Sequence, residues 1–166
     1  RVRGLQEENR VVAVGKCGNL FAVCDGMGGA AAGEVASQLA VDILYEKMTE
    51  DVAPDAHVTR NEIARRLVRA VEAAGLRIFE AAKSDRTRRG MGTTVTAAAL
   101  VDDHLFLAQV GDSRAYLMRE GNLVQVTRDQ SLVNQLIEAG QLTEEEAETF
   151  EHNNIILQAL GTAETV

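Results

Sequence analysis

The stretch Cys24-Asp25-Gly26-Met27-Gly28-Gly29-Ala30 stands between two regular elements, and the fold class depends on how it is interpreted. Before it, the apolar run over 20–24 is typical of a short buried strand. After it, apolar residues recur with helical spacing and predict a helix over 31–49. The turn therefore places the Asp25 carboxylate at a sheet edge, among glycines that permit close approach. An acid in that position is costly unless it meets a cation or hydrogen-bond donors.

The same glycines admit two other interpretations. Gly26, Gly28 and Ala31 match the dinucleotide-binding pattern GxGxxA, after a strand and before a helix. Against this, Asp25 would direct negative charge at a pyrophosphate, and the next predicted element after the helix is another helix. A P-loop is disfavoured because Glu34 stands where that motif requires lysine. A dinucleotide-binding module and a purely structural turn stay open as alternatives.

A second acid-bearing turn, Gly111-Asp112-Ser113, also follows an apolar strand candidate. Taken alone, Gly-Asp is a common hairpin turn. Two aspartates at two strand ends nevertheless suggest one shared site. Carboxylate oxygens without nearby histidine or cysteine ligands favour a hard or borderline cation such as Mg²⁺ or Mn²⁺.

The rest of the chain predicts an α+β protein. A strand over 11–14 precedes the first turn, and a second helix over 60–84 follows the first, with Thr59 and Glu62 as a possible capping box. Four strand candidates come next, and their spacing fits three consecutive hairpins: 93–101, 104–110, 114–119 and 123–127. Helix returns after Ser131 and ends at Gly140, and Thr143 with Glu146 caps a short successor. Helices follow helices and strands follow strands, so a repeating βαβ architecture is disfavoured.

Composition narrows the function further. The length of 166 residues suits one compact domain. The 25 acidic and 17 basic side chains give a net charge of −8, which argues against broad nucleic-acid binding. No apolar run is long enough for a membrane span, and the first residues lack a signal-peptide core, so we expect a cytoplasmic protein. Cys17 and Cys24 are too few for a disulfide framework, and the three histidines show no zinc-ligand spacing.

Taken together, these residues resemble the protein phosphatase 2C family, the metal-dependent serine/threonine phosphatases, in its compact bacterial form. The likeness runs along essentially the whole chain. Its motifs are, in order, Arg3-Gly4-Leu5-Gln6-Glu7-Glu8, Asp25-Gly26-Met27-Gly28-Gly29 with Gly33-Glu34, Gly92-Thr93-Thr94, Gly111-Asp112-Ser113-Arg114-Ala115-Tyr116 and Thr127-Arg128-Asp129-Gln130-Ser131. The segment after the last motif, about 130–160, resembles the family's flap.

The resemblance implies a two-sheet antiparallel β-sandwich flanked by helices, with a metal site in the cleft between the sheets and a single domain over 1–166. By it, Asp25 bridges two Mg²⁺ or Mn²⁺ ions, the Gly26 carbonyl and Glu8 are further ligands, and Asp112 serves a third, weaker ion. Arg3 corresponds to the arginine that receives the substrate phosphate, a task that suits a guanidinium.

The implied activity is hydrolysis of phosphoserine and phosphothreonine in proteins, opposing a serine/threonine kinase. Paired divalent ions supply a hydroxide at neutral pH and neutralise charge in the displacement at phosphorus. Neither cysteine begins a Cys-x₅-Arg phosphate loop, so cysteine-dependent phosphatase chemistry is disfavoured.

The chain departs from the family pattern in three places. It stops at Val166, before the family's later Asp-Gly and Asp-Asn motifs, which predicts a C-terminally incomplete fold, weak metal binding and self-association through an exposed sheet edge. Glu8 replaces the usual aspartate, and Gln130 replaces histidine and receives no catalytic role. The alternative function is a catalytically incomplete regulatory or phosphoprotein-binding domain. The arginines at 86, 88 and 89 are interpreted as a solvated loop.

Overall fold

The computed structural model describes residues 10–13, 18–51 and 58–166. These residues form four α-helices and eight strands. The helices are α1 (Ala30–Thr49), α2 (Arg60–Ser84), α3 (Leu132–Glu138) and α4 (Glu144–Thr149), with a 3₁₀ turn at Arg86–Arg88. The strands are β1 (Arg10–Ala13), β2 (Gly18–Val23), β3 (Gly26–Met27), β4 (Gly92–Thr93), β5 (Val95–Val101), β6 (His104–Val110), β7 (Tyr116–Arg119) and β8 (Asn122–Gln125).

The largest sheet is antiparallel, with the strand order β1-β2-β5-β6. Side chains alternate across it, so one face carries the buried row that includes Leu20, Ala97 and Ala99. Helices α1 and α2 contact each other and cover that face. The small alanines of β5 let the helices approach the sheet closely, and the core lies between these two layers.

The opposite face of this sheet is apolar and exposed. Register places Phe21, Ala98 and Leu107 in one row across β2, β5 and β6, and Leu100 beside Leu105 in the next. Phe21 is 44% exposed and Leu105 is 51% exposed. The described residues place no helix or sheet over this face.

Helix α2 shows how local sequence sets an element. Its bounds agree with the predicted 60–84, and the Thr59 hydroxyl accepts a hydrogen bond from the Glu62 backbone N–H at 3.3 Å. The reciprocal half of the predicted box is replaced, because the Glu62 carboxylate pairs with Arg66 at 2.8 Å. Buried Ile63, Leu67 and further apolar residues line one side of the helix.

Two predictions about the later strands were wrong in detail. The candidate over 93–101 is divided at Thr94, so that β4 pairs with β3 in a separate two-stranded sheet. Among the strands from β5 to β8, two of the three expected hairpins form, β5–β6 and β7–β8, because β6 and β7 lie in different sheets. The positive φ of Gly111, 109°, turns the chain out of the large sheet where the middle hairpin was expected.

The expected α+β class, with antiparallel sheets and flanking helices, is confirmed. The dinucleotide-binding alternative fails, because it needs a parallel βαβ unit and every strand pair among the described residues is antiparallel. None of the described helices combines the length and apolarity that a bilayer-spanning helix needs.

Candidate active site

The Asp25 turn is fixed to the start of β5 through its backbone. The Asp25 N–H donates to the Thr94 hydroxyl at 3.2 Å, and the Thr94 N–H donates to the Asp25 carbonyl at 2.9 Å. Cys24, immediately before, is a fully buried thiol, whereas Asp25 is exposed. The Asp25 carboxylate therefore lies in solvent at the end of a buried strand. Two hydrogen bonds with Thr94 hold the Asp25 backbone in place.

Gly26 permits the turn to sit against the first helix. A Cβ atom at Gly26 would lie 2.0 Å from the Gly33 carbonyl oxygen, a distance that no side chain tolerates. Gly26 also pairs with Thr93 in the small β3–β4 sheet. Two neighbours thus restrain the residue whose carbonyl is the predicted metal ligand.

The Asp112 turn is held by Gln130. The Gly111 N–H donates to the Gln130 side-chain oxygen at 2.7 Å, and the Gln130 N–H donates to the Gly111 carbonyl at 3.0 Å. Gln109 adds a side-chain hydrogen bond to the same carbonyl at 2.8 Å. Gln130, to which the sequence assigned no catalytic role, is therefore a positioning residue for the backbone next to Asp112.

Thr94 joins the two acidic turns. Its hydroxyl accepts from Asp25 and also lies 2.8 Å from the Ser113 hydroxyl. Gly111 fits against it so tightly that an added Cβ would lie 2.6 Å from the Thr94 methyl carbon. Thr94 is 2% exposed. Thr94 has no role among the sequence predictions, although its place in the Gly-Thr-Thr motif is a signal.

The segment after β8 forms a wall beside Asp112. Arg114 donates to both carboxylate oxygens of Asp129, with its closest contact at 2.6 Å, and this pairing raises the pKa of Arg114 above its ordinary value. A pocket of about 240 Å³ lies here, lined by Asp112, Asp129, Asn153 and others. The half-buried Asp112 thus faces a concave surface that residues 129–153 help to build.

Residues 130–160 form a segment whose two ends pair with each other where they join the rest of the protein. Ser131 and Ile156 form an isolated antiparallel bridge, and the Leu157 N–H donates to the Gln130 carbonyl at 2.8 Å. Helices α3 and α4 lie within this segment and contain no fully buried residue. Its form is compatible with the predicted flap.

The oxygen atoms present at this site indicate which kind of metal ion it suits. Asp25 and Asp112 offer carboxylates and Gly26 a carbonyl, and such oxygen ligands fit Mg²⁺ or Mn²⁺. Among the described residues, no three histidine, cysteine, aspartate or glutamate side chains come together as a metal-binding group. Arg3 and Glu8 lie outside the described residues. The donors among the described residues fit such a cation in type, and they are too few for a complete ligand shell.

Comparison with known proteins decides the family. The sequence profile described as protein phosphatase 2C matches residues 6–160. The chain belongs to the protein phosphatase 2C family. This membership accounts for the order of the Asp25, Thr94 and Asp112 motifs and for the antiparallel sheets that bring them together.

Relatives within the protein phosphatase 2C family agree in sequence and in fold. Serine/threonine phosphatase stp of Listeria welshimeri is 38% identical over 162 residues, which are 97% of this chain and 63% of that protein. The S. agalactiae serine/threonine phosphatase structure gives a TM-score of 0.84 at 38% identity, covering 96% of this chain and 64% of that one. The PstP catalytic domain, solved with 2 manganese ions, gives a TM-score of 0.73 at 37% identity, covering 95% and 62%. The chain therefore spans a little under two thirds of each relative.

Proposed function

We propose that this protein hydrolyses phosphoserine and phosphothreonine in proteins with two Mg²⁺ or Mn²⁺ ions held at Asp25. The observation that carries the proposal is the Thr94 hydroxyl, which hydrogen-bonds to both acidic turns of a chain that belongs to the protein phosphatase 2C family. The serine/threonine phosphatase names of the relatives support the substrate class. The manganese ions in the PstP structure support the choice of metal.

Each proposed site residue has a separate task. Asp25 would hold the two ions, with the Gly26 carbonyl and Glu8 as further ligands. Asp112 would hold a third, weaker ion, and Arg3 would bind the substrate phosphate through a bidentate guanidinium contact. When bound, the ions would supply hydroxide at neutral pH by lowering the pKa of a coordinated water. The chain's own contribution is to hold Asp25 and Asp112 on backbones that do not have to reorganise when the substrate binds.

The proposal also covers the domain organisation, the compartment and the partners of the protein. Residues 1–166 form one phosphatase 2C-like domain that acts on phosphorylated proteins in the cytoplasm, opposing a serine/threonine kinase. A buried Cys24 thiol and a total of two cysteines suit a reducing compartment. The chain self-associates through the exposed edge of the large sheet, and the exposed apolar face beside that edge adds area that is stabilised by removal from water.

A second function is favoured by one observation. The described residues do not gather three metal-ligating side chains, so a domain that binds phosphoproteins without hydrolysing them is the alternative. In that function Arg3 would still bind the phosphate, and Asp25 would serve only the turn. The two functions differ in whether the divalent ion is needed.

The deciding experiment measures hydrolysis of a phosphothreonine peptide against Mn²⁺ concentration for the unaltered chain and for Asp25→Ala. Asp103→Ala is the matched control, because Asp103 lies in the β5–β6 turn, about 20 Å along β5 from the proposed site. We expect manganese-dependent turnover that Asp25→Ala lowers by about 100-fold or more and that Asp103→Ala leaves intact. Calorimetry with Mn²⁺ alone should show the same order of metal affinities.

Two outcomes would contradict the phosphatase proposal. Turnover that is independent of the metal, or unaffected by Asp25→Ala, removes the role of the Asp25 site. Tight phosphopeptide binding without turnover at any Mn²⁺ concentration establishes the binding domain instead.

A further inference from the structure

A second pocket, of about 490 Å³, lies where α2 ends. Its lining includes Phe79 and Lys83 from α2, Arg86 and Arg89 from the 3₁₀ turn and its end, and Gly90 and Gly161 from the two chain segments that meet there. No proposed catalytic or metal-binding residue lies in this pocket.

The pocket is basic in an acidic protein. Lys83, Arg86 and Arg89 line it, and none of the described residues in its lining is acidic, whereas the whole chain carries a net charge of −8. The nearby acid, Asp85, is engaged elsewhere: one of its oxygens accepts from the Thr87 N–H at 2.9 Å. Its other oxygen lies 3.3 Å from the Arg88 guanidinium. Arg86 and Arg89 therefore have no ion-pair partner within the described part of the chain.

Tertiary contacts hold the walls of the pocket in place. The Lys83 ammonium lies 4.4 Å from the centre of the Phe79 ring, in a cation–π contact. Leu160 and Thr93 exchange two backbone hydrogen bonds, at 2.9 and 3.1 Å, which bind the far wall to β4. A Cβ at Gly161 would lie 2.2 Å from the Ile78 side chain, so this wall packs directly on α2. The basic groups thus surround a preformed concavity with an apolar floor.

The pocket adjoins the Asp25 turn. A Cβ at Gly28 would lie 2.8 Å from the carbonyl oxygen of Gly90, so the Gly28 backbone touches the rim of the pocket. Gly28 is three residues from Asp25, about 10 Å at full extension. A peptide whose phosphate lies at Asp25 therefore reaches the pocket within about five residues of extended chain.

We propose that this pocket binds a second anionic side chain of the protein substrate, a phosphate or a carboxylate within about five residues of the phosphoresidue that is hydrolysed. The proposal rests on the proposed phosphatase function. Guanidinium groups bind such oxyanions with paired, charge-assisted hydrogen bonds, and Phe79 offers apolar contact to the residue beside the anion. The protein then prefers substrates that are acidic or phosphorylated at a second position.

The test compares binding of three fluorescein-labelled peptides by anisotropy in the presence of Mn²⁺. All contain one phosphothreonine as its phosphonate analogue, which is not hydrolysed, and they differ four residues away, where they carry phosphoserine (also as its phosphonate), glutamate or glutamine. The chain is compared with Arg86→Ala/Arg89→Ala and with a matched pair, Arg65→Ala/Arg69→Ala. Arg65 and Arg69 are exposed residues of α2, and Arg69 is about 20 Å from Lys83 along the helix.

We expect the phosphoserine and glutamate peptides to bind about fivefold to tenfold more tightly than the glutamine peptide, the scale of one or two exposed charge contacts. That preference should fall to near unity in Arg86→Ala/Arg89→Ala and persist in Arg65→Ala/Arg69→Ala. A phosphoserine preference without a glutamate preference restricts the pocket to phosphate. A preference that survives loss of Arg86 and Arg89, or that both variants lose equally, would overturn the proposal.

Hydrolysis of p-nitrophenyl phosphate by the unaltered chain with Mn²⁺, measured in parallel, reports on the phosphatase function alone. Turnover without a peptide preference leaves the phosphatase standing and removes the pocket. A preference that depends on Arg86 and Arg89, without turnover, keeps the pocket as an anion-binding site and removes the phosphatase.

Discussion

Thr94 shows how one buried hydroxyl can organise a site that it does not itself form. It accepts a hydrogen bond from the Asp25 N–H and lies within hydrogen-bond distance of the Ser113 hydroxyl, so it contacts both acidic turns. A buried polar group left without its partner costs more than an average hydrogen bond contributes. Loss of the hydroxyl therefore affects both acidic turns together.

Thr94→Val tests this role, because valine keeps the shape and removes the hydroxyl. We expect the free energy of unfolding to fall by about 1 to 3 kcal/mol, with a weaker Mn²⁺ affinity, since Asp25 and Ser113 lose their partner. Urea unfolding and calorimetry measure the two effects. Thr96→Val is the control: the Thr96 hydroxyl donates to the Ser113 carbonyl at 3.1 Å and has no hydrogen bond to Asp25. Equal Mn²⁺ affinities in the two variants would contradict a specific role for Thr94.

Gly26 tests the close contact between the turn and α1. Gly26→Ala places a Cβ 2.0 Å from the Gly33 carbonyl, so we expect a loss of about 3 kcal/mol or more in urea unfolding. At Gly29 a Cβ meets no atom within 4 Å, and only its positive φ, 92°, opposes alanine. Gly29→Ala should therefore cost about 1 to 3 kcal/mol, because φ 92° with ψ 156° is a conformation that essentially only glycine adopts. The reverse order of the two losses would show that backbone conformation, and not the contact with α1, sets the cost.

At the scale of the element, α4 illustrates a helix that begins through local chemistry. The Thr143 hydroxyl accepts from the Glu146 N–H at 3.2 Å, and the Glu146 carboxylate accepts from the Thr143 N–H at 2.9 Å. That backbone hydrogen bond, together with the Thr143 hydroxyl, lowers the pKa of Glu146. The predicted capping box is confirmed.

The box makes the start of α4 dependent on pH. A carboxyl whose pKa is lower in the folded state adds stability above its unfolded pKa, about 4.3, and loses it as the pH falls through the folded value. We therefore expect the cap to hold at neutral pH and to weaken below about pH 4. Thr143→Ala should move the pKa of Glu146 back towards its ordinary value and speed amide exchange in α4 about fivefold. NMR measures the first effect by titration and the second by amide exchange, with Thr143→Ser as the control. Alanine keeps the Thr143 N–H, so the pKa returns only part of the way. Unchanged amide exchange in α4 of Thr143→Ala would refute the role of the Thr143 hydroxyl in the box.

Helices were more predictable than strands for a physical reason. The bounds of α2 follow from its own capping residue and its own apolar spacing, both within the segment. The division between β4 and β5 does not follow from the local sequence. It occurs because Thr94 exchanges hydrogen bonds with Asp25, 69 residues away, and therefore does not continue the strand. The path after Gly111 depends in the same way on Gln130. The Gly-Thr-Thr motif marks Thr94, but no local sequence signal shows that Thr94 contacts Asp25 or that Gln130 contacts Gly111.

At the scale of the whole molecule, the proposed self-association can be tested at the exposed apolar face of the large sheet. We expect this chain to associate through it and Leu105→Lys/Leu107→Lys to be monomeric, because both side chains lie on that face. Light scattering after size exclusion measures the mass. Met118→Lys/Leu123→Lys, which alters two exposed residues of the β7–β8 hairpin, is the control and should still associate. A monodisperse monomer of the unaltered chain would contradict the prediction.

The sequence by itself determined the Asp25 and Asp112 turns and the helix caps, because each depends on a few consecutive residues. It also determined the α+β order and the likeness to the protein phosphatase 2C family, because these follow from the order of such local patterns along the chain. Glu8 and Arg3 stay predictions, since both lie outside the described residues. Only the tertiary structure decided that Thr94 links the two turns, that Gln130 supports Asp112, and that Arg86 and Arg89 line a pocket rather than a plain solvated loop. These contacts join residues far apart in the chain, and they exist only because antiparallel pairing and helix packing across the whole domain bring those residues together.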